Sequence, residues 1–160
     1  MDWSSIWSSF LMLNQFALRH FTDGAIKALA VARNHAAVRK HCRITPEHVL
    51  FALATVERGP FQVTLEGMGL DLSQHREEIE GLVDAIAVVN SEERLDFSPE
   101  AREMLSQARA QALELGHNYV GREHLVLGLL MSGSWPASKF LRERGITPDS
   151  LREALKLSGA

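Results

Sequence analysis

The chain has 160 residues, of which 46% are apolar and 23% charged, and its formal net charge is −3. This composition is that of a globular domain and excludes a disordered chain, and the slight acidity gives no electrostatic basis for nucleic-acid binding. The single Cys42 excludes an intrachain disulfide, and no apolar run reaches the roughly 18 residues that a membrane-spanning helix needs. Because no basic signal region precedes the apolar residues near the N-terminus, we expect a cytoplasmic protein.

The first 20 residues place apolar side chains at helical spacing among serines. Trp3, Trp7 and Phe10 lie on one stripe, and no basic residue precedes Arg19. This pattern predicts an amphipathic leader helix that packs on the rest of the chain. An exposed anchor for a partner and a disordered or vector-derived segment are the alternatives. The absence of a Lys/Arg-rich polar face argues against a membrane-surface helix.

Four helices are predicted in the first half of the chain. The first begins after Thr22 and carries apolar residues at three- and four-residue steps. The second begins at Thr45-Pro46-Glu47, where a capping hydroxyl, a proline and an acid form a helix-start signal. A short third helix covers about 61–66, and a fourth begins after Asp71 or Ser73 and buries apolar residues as far as Ile86.

The second half repeats this order. Helix starts are predicted at Ser98-Pro99-Glu100, at Gly121-Arg122-Glu123, at residue 136 and at Thr147-Pro148-Asp149. No segment alternates polar and apolar residues for long enough to predict a strand. We therefore expect an all-α protein of about eight helices beyond the leader, with the polar residues 90–96 linking the halves.

The two halves are copies of each other in one gapless register. A shift of 76 residues aligns Phe21 with Phe97, Thr22 with Ser98, His41 with His117, and Glu47-His48 with Glu123-His124. Apolar positions are matched by the same shift, so one supersecondary unit is built twice. We expect the copies, a duplicated four-helix repeat, to pack about a pseudo-twofold axis, so that a surface site on one copy has a relative on the other.

The sharpest motif lies at residues 115–130, with the sequence LGHNYVGREHLVLGLL, and its counterpart HCRITPEHVL lies at residues 41–50. Together they resemble the Clp N-terminal domain, the double four-helix Clp repeat that precedes the ATPase rings of Clp-type AAA+ unfoldases. The resemblance covers 21 to about 157 and is closest to C-type members. Lys40 stands where the family usually has Gly, Pro46 follows Thr45 in place of Gly-Thr, and Arg122 replaces a Thr.

Beyond the leader at 1–20, the resemblance implies a Clp N-domain at 21–160, made of repeats 21–89 and 97–157. It implies a non-enzymatic module, without cofactor or metal, that receives adaptors or unfolded and tagged substrates for a Clp ATPase and its protease. The chain carries no GxxxxGK[ST] motif, so the ATPase module is missing from it. A free-standing Clp-repeat protein and an excised piece of a longer ATPase both fit this pattern.

The resemblance also implies a ligand site in each repeat. In C-type members a Glu and a Thr near the start of each repeat help to bind phosphorylated arginine, and the matching positions are Glu47 with Thr22 and Glu123 with Ser98. A carboxylate suits a guanidinium, and hydroxyls and helix N–H groups suit a phosphate. The alternative is that both acids only stabilise the N-terminus of their helix through its dipole.

The histidines of the motif are predicted to be structural. His48 and His124 are expected in the helix packing, each with one ring nitrogen bonded to the backbone. Zinc-binding residue types occur at His35, His41, Cys42 and His48, but their spacing matches neither an i, i+4 pair nor a CxxC knuckle.

Two other classes of function remain open from the sequence. One is a structural interaction protein that self-associates through Trp3, Trp7 and Phe10 of the leader. The other is a ligand-sensing domain with a small-molecule pocket between the repeats.

Overall fold

The structure is a computed structural model that describes residues 20–89 and 94–158. The leader residues Trp3, Trp7 and Phe10 lie outside the described residues, so the leader helix stays a prediction. The described residues form eight α-helices: α1 Asp23–Val38, α2 Pro46–Thr55, α3 Pro60–Gly67, α4 Arg76–Asp84, α5 Pro99–Glu114, α6 Arg122–Leu130, α7 Pro136–Glu143 and α8 Pro148–Leu157. The all-α prediction is confirmed for this part of the chain, with four helices from each copy.

The helix ends follow the chemistry predicted for them. The hydroxyl oxygens of Thr22 and Ser98 accept hydrogen bonds from the main chain three residues later, at 3.1 and 3.0 Å. These bonds satisfy N–H groups that have no partner within the helix. The fourth helix departs from the prediction, because a 3₁₀ turn at Leu72–His75 precedes α4 and the helix ends at Asp84. Ile86 is therefore only half-buried, beyond the helix end.

Two short parallel pairings join the copies. Strand β1, Arg43–Ile44, pairs with β2, Asp96–Phe97, so that Ile44 is opposite Phe97. The equivalent residues of the other copy, Val120 and Phe21, form an isolated parallel bridge. Because each pairing is the image of the other under exchange of the copies, they lie about a pseudo-twofold axis, as predicted. The sequence predicted no strand, since two residues are too few to show alternation.

The core lies around α2 and α6, the second helix of each copy. Each packs on the long first helix of its own copy, α1 or α5, and α2 also contacts α6 across the axis. Every residue of α6 except Glu123 is buried, which explains why its sequence shows little amphipathic pattern. None of the described helices is both long and apolar enough to cross a membrane.

Candidate functional site

A cleft of about 800 Å³ opens where the start of α6 faces the loop before α3 and the end of α8. This volume is in the range of ligand-binding clefts. Apolar side chains and a few polar ones share its walls: Phe61, Val63, Leu155, Thr22, Arg122 and Glu123. The cleft thus combines residues of both copies, including two of the four residues predicted to bind ligand.

The structure groups the predicted ligand residues across the copies. Thr22 lies with Glu123 in the cleft, because the N–H of Thr22 donates to the carbonyl of Val120 at 2.9 Å. In the mirror arrangement, Ser98 donates to the carbonyl of Ile44 at 2.9 Å and so lies beside the start of α2, which carries Glu47. The structure thus places Thr22 near Glu123 and Ser98 near Glu47, across the copies, whereas the resemblance paired Thr22 with Glu47 and Ser98 with Glu123. The parallel pairings bring the start of each repeat next to the second helix of the other repeat. The spacing of residues within one repeat cannot reveal this contact.

Glu47 is engaged inside the protein. Its Oε2 accepts a hydrogen bond from the main-chain N–H of Ala137, in the first turn of α7, at 3.1 Å, and the residue is only 7% exposed. Burial raises the pKa of Glu47, the hydrogen bond from Ala137 opposes that rise, and the nearby charge of Glu100 adds to it. Glu47 thus caps a helix of the other copy and joins the two copies.

Glu123 has no such engagement. Its Oε1 lies 3.5 Å from Nδ1 of His124, but that nitrogen accepts a hydrogen bond from the N–H of Gly121 at 2.8 Å. Burial lowers the pKa of His124 to about 4, so the ring is neutral near pH 7 and its Nδ1 cannot donate to Glu123. Within the described part of the chain, the Glu123 carboxylate accepts no hydrogen bond, and it borders the cleft.

A glycine gives Glu123 its position. A Cβ on Gly121 would lie 2.5 Å from Oε1 of Glu123, closer than side chains approach. Thr45 stands at the equivalent place before Glu47, whose carboxylate accepts instead from the N–H of Ala137. The two glutamates therefore point differently, although both follow the N-cap of their helix by two residues.

The motif histidines pack inside the protein, as predicted. His48 and His124 are fully buried, and Nδ1 of His48 accepts from the N–H of Thr45 at 2.9 Å, as His124 does from Gly121. The Nε2 of each lies 2.8 Å from Nδ1 of a second histidine, His41 or His117. Among residues 20–89 and 94–158, no three His, Cys, Asp or Glu side chains are grouped as a metal site.

Arg122 is the cleft residue whose role the sequence did not show. Its Nε donates to the carbonyl of Gly24 at 2.9 Å, and its Nη1 donates to the carbonyl of Glu57 at 3.0 Å. A Cβ on Gly24 would lie 3.2 Å from Nε, so the glycine makes room for the guanidinium. A sequence feature that could have revealed this role is that the two copies differ at both positions. Gly24 aligns with Glu100, and Arg122 aligns with Pro46.

The comparisons with known proteins agree with the fold and the motifs. The chain matches the family model of the Clp repeat (R) N-terminal domain over residues 20–144 and 96–158. It belongs to this family. The chaperone protein ClpB of Oceanobacillus iheyensis is 31% identical over 141 residues, which cover 88% of this chain and 17% of ClpB. The chloroplastic ClpC of Pisum sativum is 33% identical over 132 residues, covering 82% of this chain and 14% of ClpC.

Solved structures of Clp N-domains share this fold at lower identity. The N-terminal domain of the ClpV1 ATPase of E. coli superimposes with a TM-score of 0.75 at 22% identity, covering 88% of this chain and 86% of that domain. The Hsp104 N-terminal domain of Candida albicans gives 0.69 at 23% identity, covering 87% and 91%. The chain thus corresponds to one domain of its relatives and spans less than a fifth of the length of ClpB and ClpC.

Proposed function

We propose that this chain is a non-enzymatic recognition module that binds protein substrates or adaptors of a Clp unfoldase through the cleft. The observation that carries this proposal is the Glu123 carboxylate, which lies in an apolar-walled cleft between the copies without a donor among the described residues. A charged group without an internal partner, at the rim of an apolar cleft, is typical of a binding site.

The chemistry of the cleft favours an arginine-like group, including phosphoarginine. The Glu123 carboxylate can accept two parallel N–H bonds from a guanidinium, the geometry in which such pairs are strongest. The oxygen of Thr22 accepts from the N–H of Ala25, which leaves its hydroxyl hydrogen to donate to a phosphate oxygen. Phe61 and Val63 supply the apolar contact for the rest of the bound segment.

The proposal assigns one such site to the chain, although the motif occurs twice. Glu47 is buried and already accepts a hydrogen bond from Ala137, so binding a ligand there would first require breaking that contact. Its partner in the same corner, Ser98, is also buried. The second copy therefore contributes the binding carboxylate, and the first copy contributes Thr22 and the wall around α3.

Isothermal titration calorimetry with phosphoarginine and with arginine tests this assignment. We expect one site per chain, a loss of affinity of about tenfold or more in Glu123→Gln, and unchanged affinity in the matched Glu47→Gln variant. Competition by fluorescein-labelled casein, an unfolded protein, would link the same site to protein substrates. Equal losses in the two variants would refute the one-site assignment, and absence of heat in the parent chain would remove the arginine-like ligand.

A further inference from the structure

We propose that the cleft contains a second subsite, which binds the carboxylate of an acidic side chain in a partner peptide. The main-chain N–H of Phe61 and the guanidinium of Arg122, which both line the cleft with Glu123, form it. This subsite deepens the proposed function, because it lies in the same cleft and adds an acidic residue to the chemistry that a partner must carry.

The contact between Glu47 and the start of α7 shows which group such a helix start binds. Ala137 and Phe61 are equivalent residues, and each is the second residue of a helix that begins with proline. The N–H of Ala137 donates to the Glu47 carboxylate. The N–H of Phe61 has no acceptor within residues 20–89 and 94–158, because Glu123 lies back over Gly121. The start of α3 thus has an N–H donor without the carboxylate acceptor that the equivalent donor at the start of α7 finds in Glu47.

Arg122 adds positive charge at the same place. The residue is only 9% exposed, and its guanidinium carries five N–H donors. Two donate to main-chain carbonyls, and Nη2 contacts the Glu57 carboxylate at 3.5 Å, a long distance for a hydrogen bond. Two further N–H donors of Arg122 have no acceptor in the described part of the chain. A buried guanidinium with donors to spare attracts an anion.

The guanidinium stands next to the start of α3. Nη1 of Arg122 lies 3.8 Å from the place that a Cβ on Gly59 would take, and Cζ lies 6.0 Å from the centre of the Phe61 ring. The helix dipole puts partial positive charge at this end of α3, and falls off within one turn. The N–H of Phe61 and the charge of Arg122 therefore act on the same small volume.

The walls beside this volume favour an acidic residue within an apolar segment. Val63 is 56% exposed one turn along α3, and Leu155 faces the cleft from α8. The Glu57 carboxylate is held by Lys27 at 2.8 Å, so its repulsion of an incoming anion is partly balanced. A peptide can place a carboxylate at the start of α3 and an apolar neighbour on Val63.

Heteronuclear NMR of the full ¹⁵N-labelled chain tests the subsite with two probes, the amide-capped peptides acetyl-Leu-Glu-Leu and acetyl-Leu-Gln-Leu. We expect the Glu peptide to bind about tenfold more tightly than the Gln peptide, with a downfield shift of the Phe61 amide proton and a shift of Arg122 Nε–H. Arg122→Gln should abolish the preference for Glu. Arg58→Gln, at an exposed arginine of the same cleft that pairs with Glu66, should keep it.

Four outcomes would overturn the subsite: equal affinity for the two peptides, shifts centred elsewhere, no binding of either peptide, or tighter binding of inorganic phosphate with the same shifts. The last would identify the anion as a phosphate. The comparison of the two peptides on the parent chain decides the matter even if Arg122→Gln does not fold. Glu123→Gln separates this proposal from the previous one, because it should lose phosphoarginine binding while the Phe61 shift with the Glu peptide persists.

Discussion

Two glutamates at equivalent positions should respond oppositely to truncation. Glu47→Ala removes the acceptor of the Ala137 N–H in the buried contact between the copies. Leaving a buried donor without an acceptor costs about 1–3 kcal/mol of unfolding free energy. Glu123→Ala removes a side chain that accepts no hydrogen bond from residues 20–89 and 94–158, so its unfolding free energy should change by less than about 0.5 kcal/mol. Only Glu123→Ala should weaken phosphoarginine binding.

The pH dependence of a Glu47→Gln variant sharpens this comparison. Glutamine keeps an oxygen for Ala137 and carries no charge to bury. Because burial raises the pKa of Glu47 above 4.5, the folded state binds a proton more tightly than the unfolded state, and ionisation of Glu47 lowers the stability of the parent chain as pH rises through that raised pKa. The stability of Glu47→Gln relative to the parent should therefore improve from about pH 4.5 upward.

Urea unfolding followed by circular dichroism provides the unfolding free energies, and calorimetry with phosphoarginine provides the binding. The parent chain and the three variants need the same buffer, at two pH values on either side of the raised pKa. If Glu47→Ala were as stable as the parent while Glu123→Ala unfolded more easily, the roles assigned to the two carboxylates would be reversed and the reasoning from their contacts would be wrong.

Three further predictions concern stability, and urea unfolding measures each of them. Lys40 has a φ of 58°, so Lys40→Gly should stabilise the chain by about 1 kcal/mol, and a loss would contradict the assigned strain. A Cβ on Gly128 would lie 2.4 Å from a main-chain oxygen of α5, so Gly128→Ala should cost about 1–3 kcal/mol, whereas Gly67→Ala, with open space around it, should not destabilise. Burial lowers the pKa of His48 to about 3 and of His124 to about 4 in the folded chain. Below pH 6.5, the ordinary pKa of histidine, the unfolded chain therefore binds more protons than the folded chain. Stability should fall from pH 6.5 downward, by roughly 2 kcal/mol per histidine at about pH 5, and a flat profile would refute the burial of neutral rings.

Local signals in the sequence were sufficient to predict most of the fold. A hydroxyl residue followed by proline at a helix start, as at Thr45, is a short-range feature. The prediction is stronger because such helix starts recur in both copies in one register. The same locality explains what the sequence did not predict. The grouping of Thr22 with Glu123 depends on which copy each chain segment pairs with, and that is settled by parallel contacts between residues far apart in sequence. The role of Arg122 likewise depends on a residue far away in sequence, because its Nε donates to the carbonyl of Gly24.

The divergence of the two copies explains how a duplicated motif yields a single open site. Thr45 precedes Glu47, and the Glu47 carboxylate accepts from the N–H of Ala137 at the start of α7, so it joins the copies. Gly121 precedes Glu123, whose carboxylate lies over that glycine, and the N–H of Phe61 at the start of α3 has no acceptor among the described residues. The Glu47 carboxylate and the Ala137 N–H thus bind each other, whereas the equivalent groups, the Glu123 carboxylate and the Phe61 N–H, lie at a common cleft. A partner with a cationic and an acidic group can bind both. The buried contact of Glu47 and the open site at Glu123 differ at two equivalent positions, Thr45 or Gly121 and Ala137 or Phe61.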